Sequence, residues 1–310
     1  MEKITARGGR RPLSQRSTGR HQGSSEELYT ADHGAEWGNK EACVTPFSFM
    51  SANYVARSVG YHMTGGWAQG EQATNQFYEP VDTFPQRFEE ILLDVRAMGF
   101  DALDIWMGHL NWAWATPAHV VATQSLLDRH GLRVVSLAGN FGSTAHEFEA
   151  ACKLAVAVGT DVLGGSTELL ERDRDAMLEI LRRYRVRLAI ENHPERTPQE
   201  MLAKLGDGAH CTIGTAVDTG WYAIHGYDAA LAIRELGEHV FHVHLKDISE
   251  SGGHASCRFG AGIVPLEECV SVLRETGYRG ALSVEHEPPD RDPAADCTAS
   301  LETLRDWCAA

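Results

Sequence analysis

From Val44 onward the hydrophobic positions follow a repeating two-part pattern. Short apolar runs rich in β-branched residues alternate with longer segments whose apolar residues recur at helical spacing, the pattern of βα units feeding a parallel sheet. The runs predict strands over 45–54, 102–107, 132–138, 162–165, 187–191, 212–218, 240–244 and 281–285. Between and after them, helices are predicted over 85–98, 117–130, 145–158, 168–184, 198–205, 227–236, 265–275 and 292–307. The punctuation agrees: Thr83 with Pro85 and Thr116 with Pro117 are helix-start chemistry, and Gly99, Gly131 and Gly159 follow predicted helix ends.

Eight strand–helix units in about 265 residues suit an α/β chain folded as a (β/α)8 TIM barrel. A doubly wound sheet is the alternative, but no G-x-G-x-x-G or G-x-x-x-x-G-K-[ST] run follows any predicted strand. Residues 41–310 are therefore read as one barrel domain. Residues 1–40, rich in Gly, Ser, Arg and Gln, are read as a disordered basic N-terminal tail. One connection is abnormal: residues 56–84 form a first βα loop far longer than usual, with Tyr61, Trp67, Phe77 and Tyr78 set among glycines. Such a loop reads as a lid, a substrate wall or a subunit contact.

Charge narrows the partners. The net charge is −15, and residues 1–22 carry +5 of their own, which leaves −20 for the rest. A body so acidic repels phosphate backbones, so nucleic acid is not expected as a partner. No apolar run approaches the roughly 18 residues of a membrane span, and the basic start lacks the apolar stretch of a secretory signal. Seven cysteines, odd in number and with no C-x-x-C pair, read as reduced thiols and a cytoplasmic protein.

In a barrel, chemistry sits at the C-terminal strand ends. Four successive predicted strands finish there in an acid or a histidine: Glu191, Asp218, His244 and Glu285. Alternation along a strand puts Glu191 with His193, His242 with His244 and Lys246, and Glu285 with Glu287. Three carboxylates and an imidazole then converge, and their repulsion calls for a divalent cation. Oxygen and nitrogen donors without thiolate favour Mn2+, Mg2+ or Co2+, with Zn2+ as a further alternative. Taken singly, any one of these acids reads equally as a helix cap, and His242 as a hydrogen-bonded core histidine.

The runs IENH (190–193), VDTG (217–220), HVHLKD (242–247), FGAGIVP (259–265) and VEHE (284–287) resemble the xylose isomerase-like TIM barrels, a superfamily of sugar phosphate isomerases and epimerases. The resemblance covers about residues 44–306. It implies that Glu191, Asp218, His244 and Glu285 bind one divalent metal, Mn2+ first, and that Glu191 and Glu285 serve as acid and base on opposite sides of a sugar. The chemistry is coherent on its own terms. A C–H beside a carbonyl is a weak acid, and a metal on the carbonyl and hydroxyl oxygens stabilises the enediolate that forms.

The expected function is a metal-dependent sugar isomerase or epimerase with a small-molecule sugar as substrate, in a homo-oligomer. Lys246 is placed either to hold a substrate oxygen or to bridge to an acid. Trp221 stands where many relatives carry His. With His193, His109 and Trp112 it completes the candidate substrate contacts. His109, Asn111, Trp112 and Trp114 form either an aromatic wall at the pocket mouth or packing under the long first loop. His146 is either an extra base or the cap of the helix at 145–158.

The runner-up is a lyase using the same enolisation on a keto sugar. Inosose dehydratases do this, as do the α-subunits of C-glycoside deglycosidases, which the chain resembles in its long aromatic first loop; that reading implies a small partner subunit. Phosphodiester hydrolysis, as in AP endonucleases of the same superfamily, would need many more histidines and a basic groove. A non-enzymatic sugar-binding barrel would predict no proton exchange.

Overall fold

Strands covered on both faces need not alternate polar with apolar residues, which is why the strands of this chain read as near-continuous apolar runs. The computed structural model describes residues 45–206 and 211–309. Its strands are β1 (Phe47–Met50), β2 (Ala102–Trp106), β3 (Arg133–Asn140), β4 (Val162–Ser166), β5 (Arg187–Glu191), β6 (Ile213–Asp218), β7 (Val240–Ile248), β8 (Ser256–Cys257) and β9 (Leu282–Glu285). β1 to β7 pair in parallel in chain order, and β9 closes the ring between β7 and β1. The two-residue β8 lies antiparallel on the end of β7. The result is a closed eight-stranded (β/α)8 barrel.

The outer layer comprises α1 (Trp67–Tyr78), α2 (Phe84–Met98), α3 (Pro117–His130), α4 (Ala145–Val158), α5 (Leu169–Arg172), α6 (Arg174–Tyr184), α7 (Pro198–Leu205), α8 (Thr219–Ile224), α9 (Ala229–Leu236), α10 (Leu266–Glu275) and α11 (Ala294–Ala309). α2 illustrates why these segments are helical. Phe84, Phe88, Ile91, Leu92, Val95 and Met98 recur at steps of three and four and are all buried, while Gly99 ends the helix at φ 95°, a conformation that costs glycine nothing. Each such side chain contributes about 1.5–3 kcal/mol by leaving water.

The structure departs from the sequence reading in instructive places. The run at 45–54 is a strand only from Phe47 to Met50; Ser51–Tyr54 is a buried 3-10 turn. Residues 56–84 are not one loop, for they contain a 3-10 turn at Arg57–Val59 and the three-turn helix α1. Its glycines disguised it, and one of them is needed there: a Cβ on Gly70 would lie 2.7 Å from the Val55 carbonyl oxygen. The helix at 168–184 breaks at Asp173, whose side chain accepts from Ala176 N and starts α6. β7 runs four residues beyond His244, through polar positions that read as site rather than strand. His146 is exposed and caps nothing; Thr144 and Glu147 form the capping box of α4. The tail predicted over 1–40 lies outside the described residues.

Candidate functional site

Register sets the four strand ends level. Asp218 of β6 is opposite His244 of β7, and Lys246 of β7 is opposite Glu285 of β9. The mouth at these ends is therefore lined by one carboxylate from each of three strands and by two basic groups from the fourth.

The imidazole is central. His244 Nδ1 lies 2.7 Å from Glu191 Oε1 and 3.3 Å from Glu285 Oε2. Lys246 Nζ lies 2.7 Å from Glu285 Oε1, 2.7 Å from Glu287 Oε2 and 3.6 Å from Asp218 Oδ2. His193 Nε2 is 3.2 Å from Glu191 Oε2. Each of the two glutamates thus turns one oxygen to His244 and has the other held by a basic side chain.

Asp218 is both a helix cap and a member of this cluster. Its Oδ1 accepts from the Gly220 and Trp221 backbone N–H groups at the start of α8, while its buried Oδ2 accepts no hydrogen bond. Asn192 holds it in place: its amide donates to the Asp218 carbonyl and its Oδ1 accepts from the Asp218 N–H. Thr219 clasps β7 in the same way through the backbone N–H and carbonyl of Lys246. Gly220 leaves room for the lysine stem, since a Cβ there would stand 2.9 Å from Lys246 Cγ and Cδ. The glycine-rich run after β7 is explained by Asp247, which accepts from the N–H groups of Gly260, Gly262 and Val264 and ties that turn to the strand.

Burial and mutual charge shift these groups. Burial raises the Asp218 carboxyl, and Glu285 and Glu191 add to it against the pull of Lys246, bringing it to about 6. Burial also raises Glu287, to about 8, with Lys246 opposing and Glu285 reinforcing. For His244, burial works downward but is outweighed by Glu191 and Glu285, and the imidazole rises to about 10. His193 follows the same balance against Glu191 and rises to about 9. Burial opposes ionisation of Glu191, yet His193 and His244 hold it well below the usual carboxylate range. Lys246 stays well above its ordinary value despite burial, because of Glu285, Glu287 and Asp218.

The donor set fits a divalent cation. Glu191, His244 and Glu285 each bring a donor atom within 4.8 Å of the others, and Glu191, His193 and Asp218 do the same. Besides Asp218 Oδ2, the buried Glu285 Oε2 also accepts no hydrogen bond. Buried carboxylate oxygens that accept no hydrogen bond are costly, and a bound cation would satisfy them.

Among the other predicted contacts, Trp221 packs on His193 at 4.9 Å and on His254 at 5.3 Å, so it borders the cluster. His109 and Trp112 make their polar contacts elsewhere. His109, 1% exposed, meets Ser51 Oγ through Nδ1, and the Trp112 indole donates to the Asn140 carbonyl. Asn111 and Trp114 both donate to Asn75 Oδ1 of α1, which makes them packing beneath the first-loop helix. The mouth is two-sided. Opposite the charged ends of β5, β6, β7 and β9, the ends of β1 to β3 present Met50, Trp106 and Ala138 in an apolar cluster with Val55 and Met63. Trp67 of α1, 40% exposed, stands edge-on to Trp106 at 5.4 Å.

Asn192, Thr219 and Glu287 were not picked out as site residues from sequence. Glu287 alone left a signal, its position two residues beyond Glu285 on the same face. Among the described residues no helix is long and apolar enough to cross a membrane.

Comparison with known proteins agrees with this fold. The chain is 36% identical over 72 residues to L-ribulose-5-phosphate 3-epimerase UlaE of Escherichia coli. That match spans 23% of this chain and only 24% of the relative. A xylose isomerase-like TIM barrel protein from Mycobacterium smegmatis, solved in complex with magnesium, superposes with a TM-score of 0.63 at 16% identity, over 85% of this chain and 96% of that one. An L-ribulose 3-epimerase superposes at 0.61, also at 16% identity, over 86% and 95%. The model of the xylose isomerase-like TIM barrel family matches residues 92–307. The chain belongs to the xylose isomerase-like TIM barrel family.

Proposed function

We propose that the chain is a divalent-metal-dependent sugar epimerase or isomerase that moves a proton at a carbon next to a carbonyl. The observation that carries this reading is the pair Glu191 and Glu285, each turning one oxygen to His244 Nδ1 while its other oxygen is held by His193 or Lys246. Glu191, Asp218, His244 and Glu285 would hold the ion, with Mn2+ first and Mg2+, Co2+ or Zn2+ as alternatives. When bound, such an ion offsets the carboxylate charge and acidifies the substrate C–H by drawing electrons from the carbonyl.

The protein groups do the rest. One glutamate takes the proton from carbon as the C–H bond breaks, and the other returns a proton to the opposite face, so the sugar is inverted at that centre with no net change in composition. His193 and Lys246 keep the far oxygens of the two glutamates fixed while this happens. Trp221 and His193 form the rim that meets the sugar, in a protein working on small molecules as a homo-oligomer in the cytoplasm.

The apolar half of the mouth favours a second reading, a lyase acting on a keto sugar that carries an apolar aglycone. The exposed Trp67 ring, backed edge-on by the buried Trp106, offers such a group an apolar surface that a free sugar would leave wet. That reading brings in a small partner subunit. Incubation of ketoses with the Mn2+-loaded protein in D2O, followed by NMR, tests the first reading. It predicts deuterium beside the carbonyl that disappears with EDTA and in Glu285→Gln. Release of an aglycone from 3-keto glycosides, with no exchange into free ketoses, would replace it by the second.

A further inference from the structure

Beneath the quartet lies a second polar cluster that the proposed chemistry does not use. Asp104 of β2 is fully buried. Its Oδ1 accepts from Ser136 Oγ of β3 at 2.5 Å and faces His242 Nε2 of β7 at 2.6 Å. Its Oδ2 accepts from Ser48 Oγ of β1 at 2.5 Å and from Ser283 Oγ of β9. Four different strands each send one donor to a single carboxylate.

Asp104, His242 and His244 bring donor atoms within 4.8 Å of one another, a spacing that a metal ion can use. The hydrogen bonds decide against an ion here. Three hydroxyls and an imidazole already engage both carboxylate oxygens, and a cation would have to displace them. The cluster is a hydrogen-bond hub.

His244 connects this hub to the quartet. The rings of His242 and His244 meet edge-on, 5.0 Å apart and 86° inclined. With Nδ1 turned to Glu191 and Glu285, His244 keeps a buried Nε2 that has no hydrogen-bond partner. A metal-binding imidazole is ordinarily oriented by what its second nitrogen meets. Here that task falls to packing against His242, whose own ring is pinned by Asp104.

We infer that Asp104, acting through His242, is a positioning residue for His244, fixing the angle at which the imidazole presents Nδ1 to Glu191 and Glu285. The inference rests on the proposed metal role of His244. It adds a dependence on a carboxylate that is hydrogen-bonded to none of the four ligands.

Co2+ binding to Asp104→Asn and His242→Gln tests it, read by competition with a chelating dye and by the visible spectrum of the bound ion, with far-UV circular dichroism in EDTA as the check on folding. Both variants should bind Co2+ about 10- to 100-fold more weakly than wild type, and the visible bands should move, which loss of global stability alone would not cause. A folded variant with the wild-type constant and spectrum overturns the positioning role. If Asp104→Asn does not fold, His242→Gln decides, since glutamine can still donate to Asp104 but lacks the ring. His244→Ala separates the two layers of the argument. Undiminished Co2+ binding there removes the metal assignment itself, whereas loss there with unchanged binding in the other two removes only the role of Asp104.

Discussion

At the scale of single residues, Lys246 makes the bridge to acids that was one of its two readings in the sequence. The residue is only 7% exposed and its ammonium lies among Glu285, Glu287 and Asp218. Lys246→Met would leave those carboxylates buried without their counter-charge. We expect a loss of about 3–5 kcal/mol in urea unfolding in EDTA, with much of it recovered on adding Mn2+; equal losses in both conditions would contradict this. His109 gives a pH prediction. Burial, reinforced by the Arg57 charge, lowers its imidazole from 6.5 to about 3. Below pH 6.5 the unfolded chain takes up a proton that the folded chain refuses, so stability falls as pH drops from about 6.5 toward 3. Between pH 7 and pH 4.5 this costs about 2.5 kcal/mol, and His109→Gln should show a correspondingly shallower decline in urea titrations at the two pH values.

At the scale of elements, what the apolar pattern carries was legible and what depends on local packing was not. The eight barrel strands and the long helices coincide with runs of apolar spacing and glycine stops, as in α2, α3 and α4. α1 escaped because Gly65, Gly66 and Gly70 read as loop, although Gly70 is there to let the helix approach the Val55 carbonyl. α8 escaped because its six residues are started by Asp218, a side chain read for its chemistry. A prediction follows for α1. Gly70→Ala puts a methyl group 2.7 Å from a backbone oxygen that cannot swing away, so it should destabilise by about 1–3 kcal/mol. Hydrogen exchange should accelerate over 67–78 more than over β5 to β7; uniform protection would show that α1 yields without cost.

At the scale of the molecule, the barrel converts dispersed residues into one site. Glu191, Asp218, His244 and Glu285 were legible because strand ends of a barrel share one rim, and a fold assignment suffices to gather them. Asp104 with Ser48, Ser136, Ser283 and His242 was not, since serines in mid-strand carry no signal until closure brings five strands to one point. The acidic excess also gains an address: part of it is the cluster of Glu191, Asp218, Glu285 and Glu287 packed around Lys246, His193 and His244. The central claim is that this cluster exists to hold a divalent ion. Its most direct test is the metal content, by elemental analysis, of wild type and of Glu191→Gln, Asp218→Asn and Glu285→Gln after equilibration with Mn2+ and desalting. The account predicts about one ion per wild-type chain and a clear loss in every variant. Full occupancy retained in all three would contradict it.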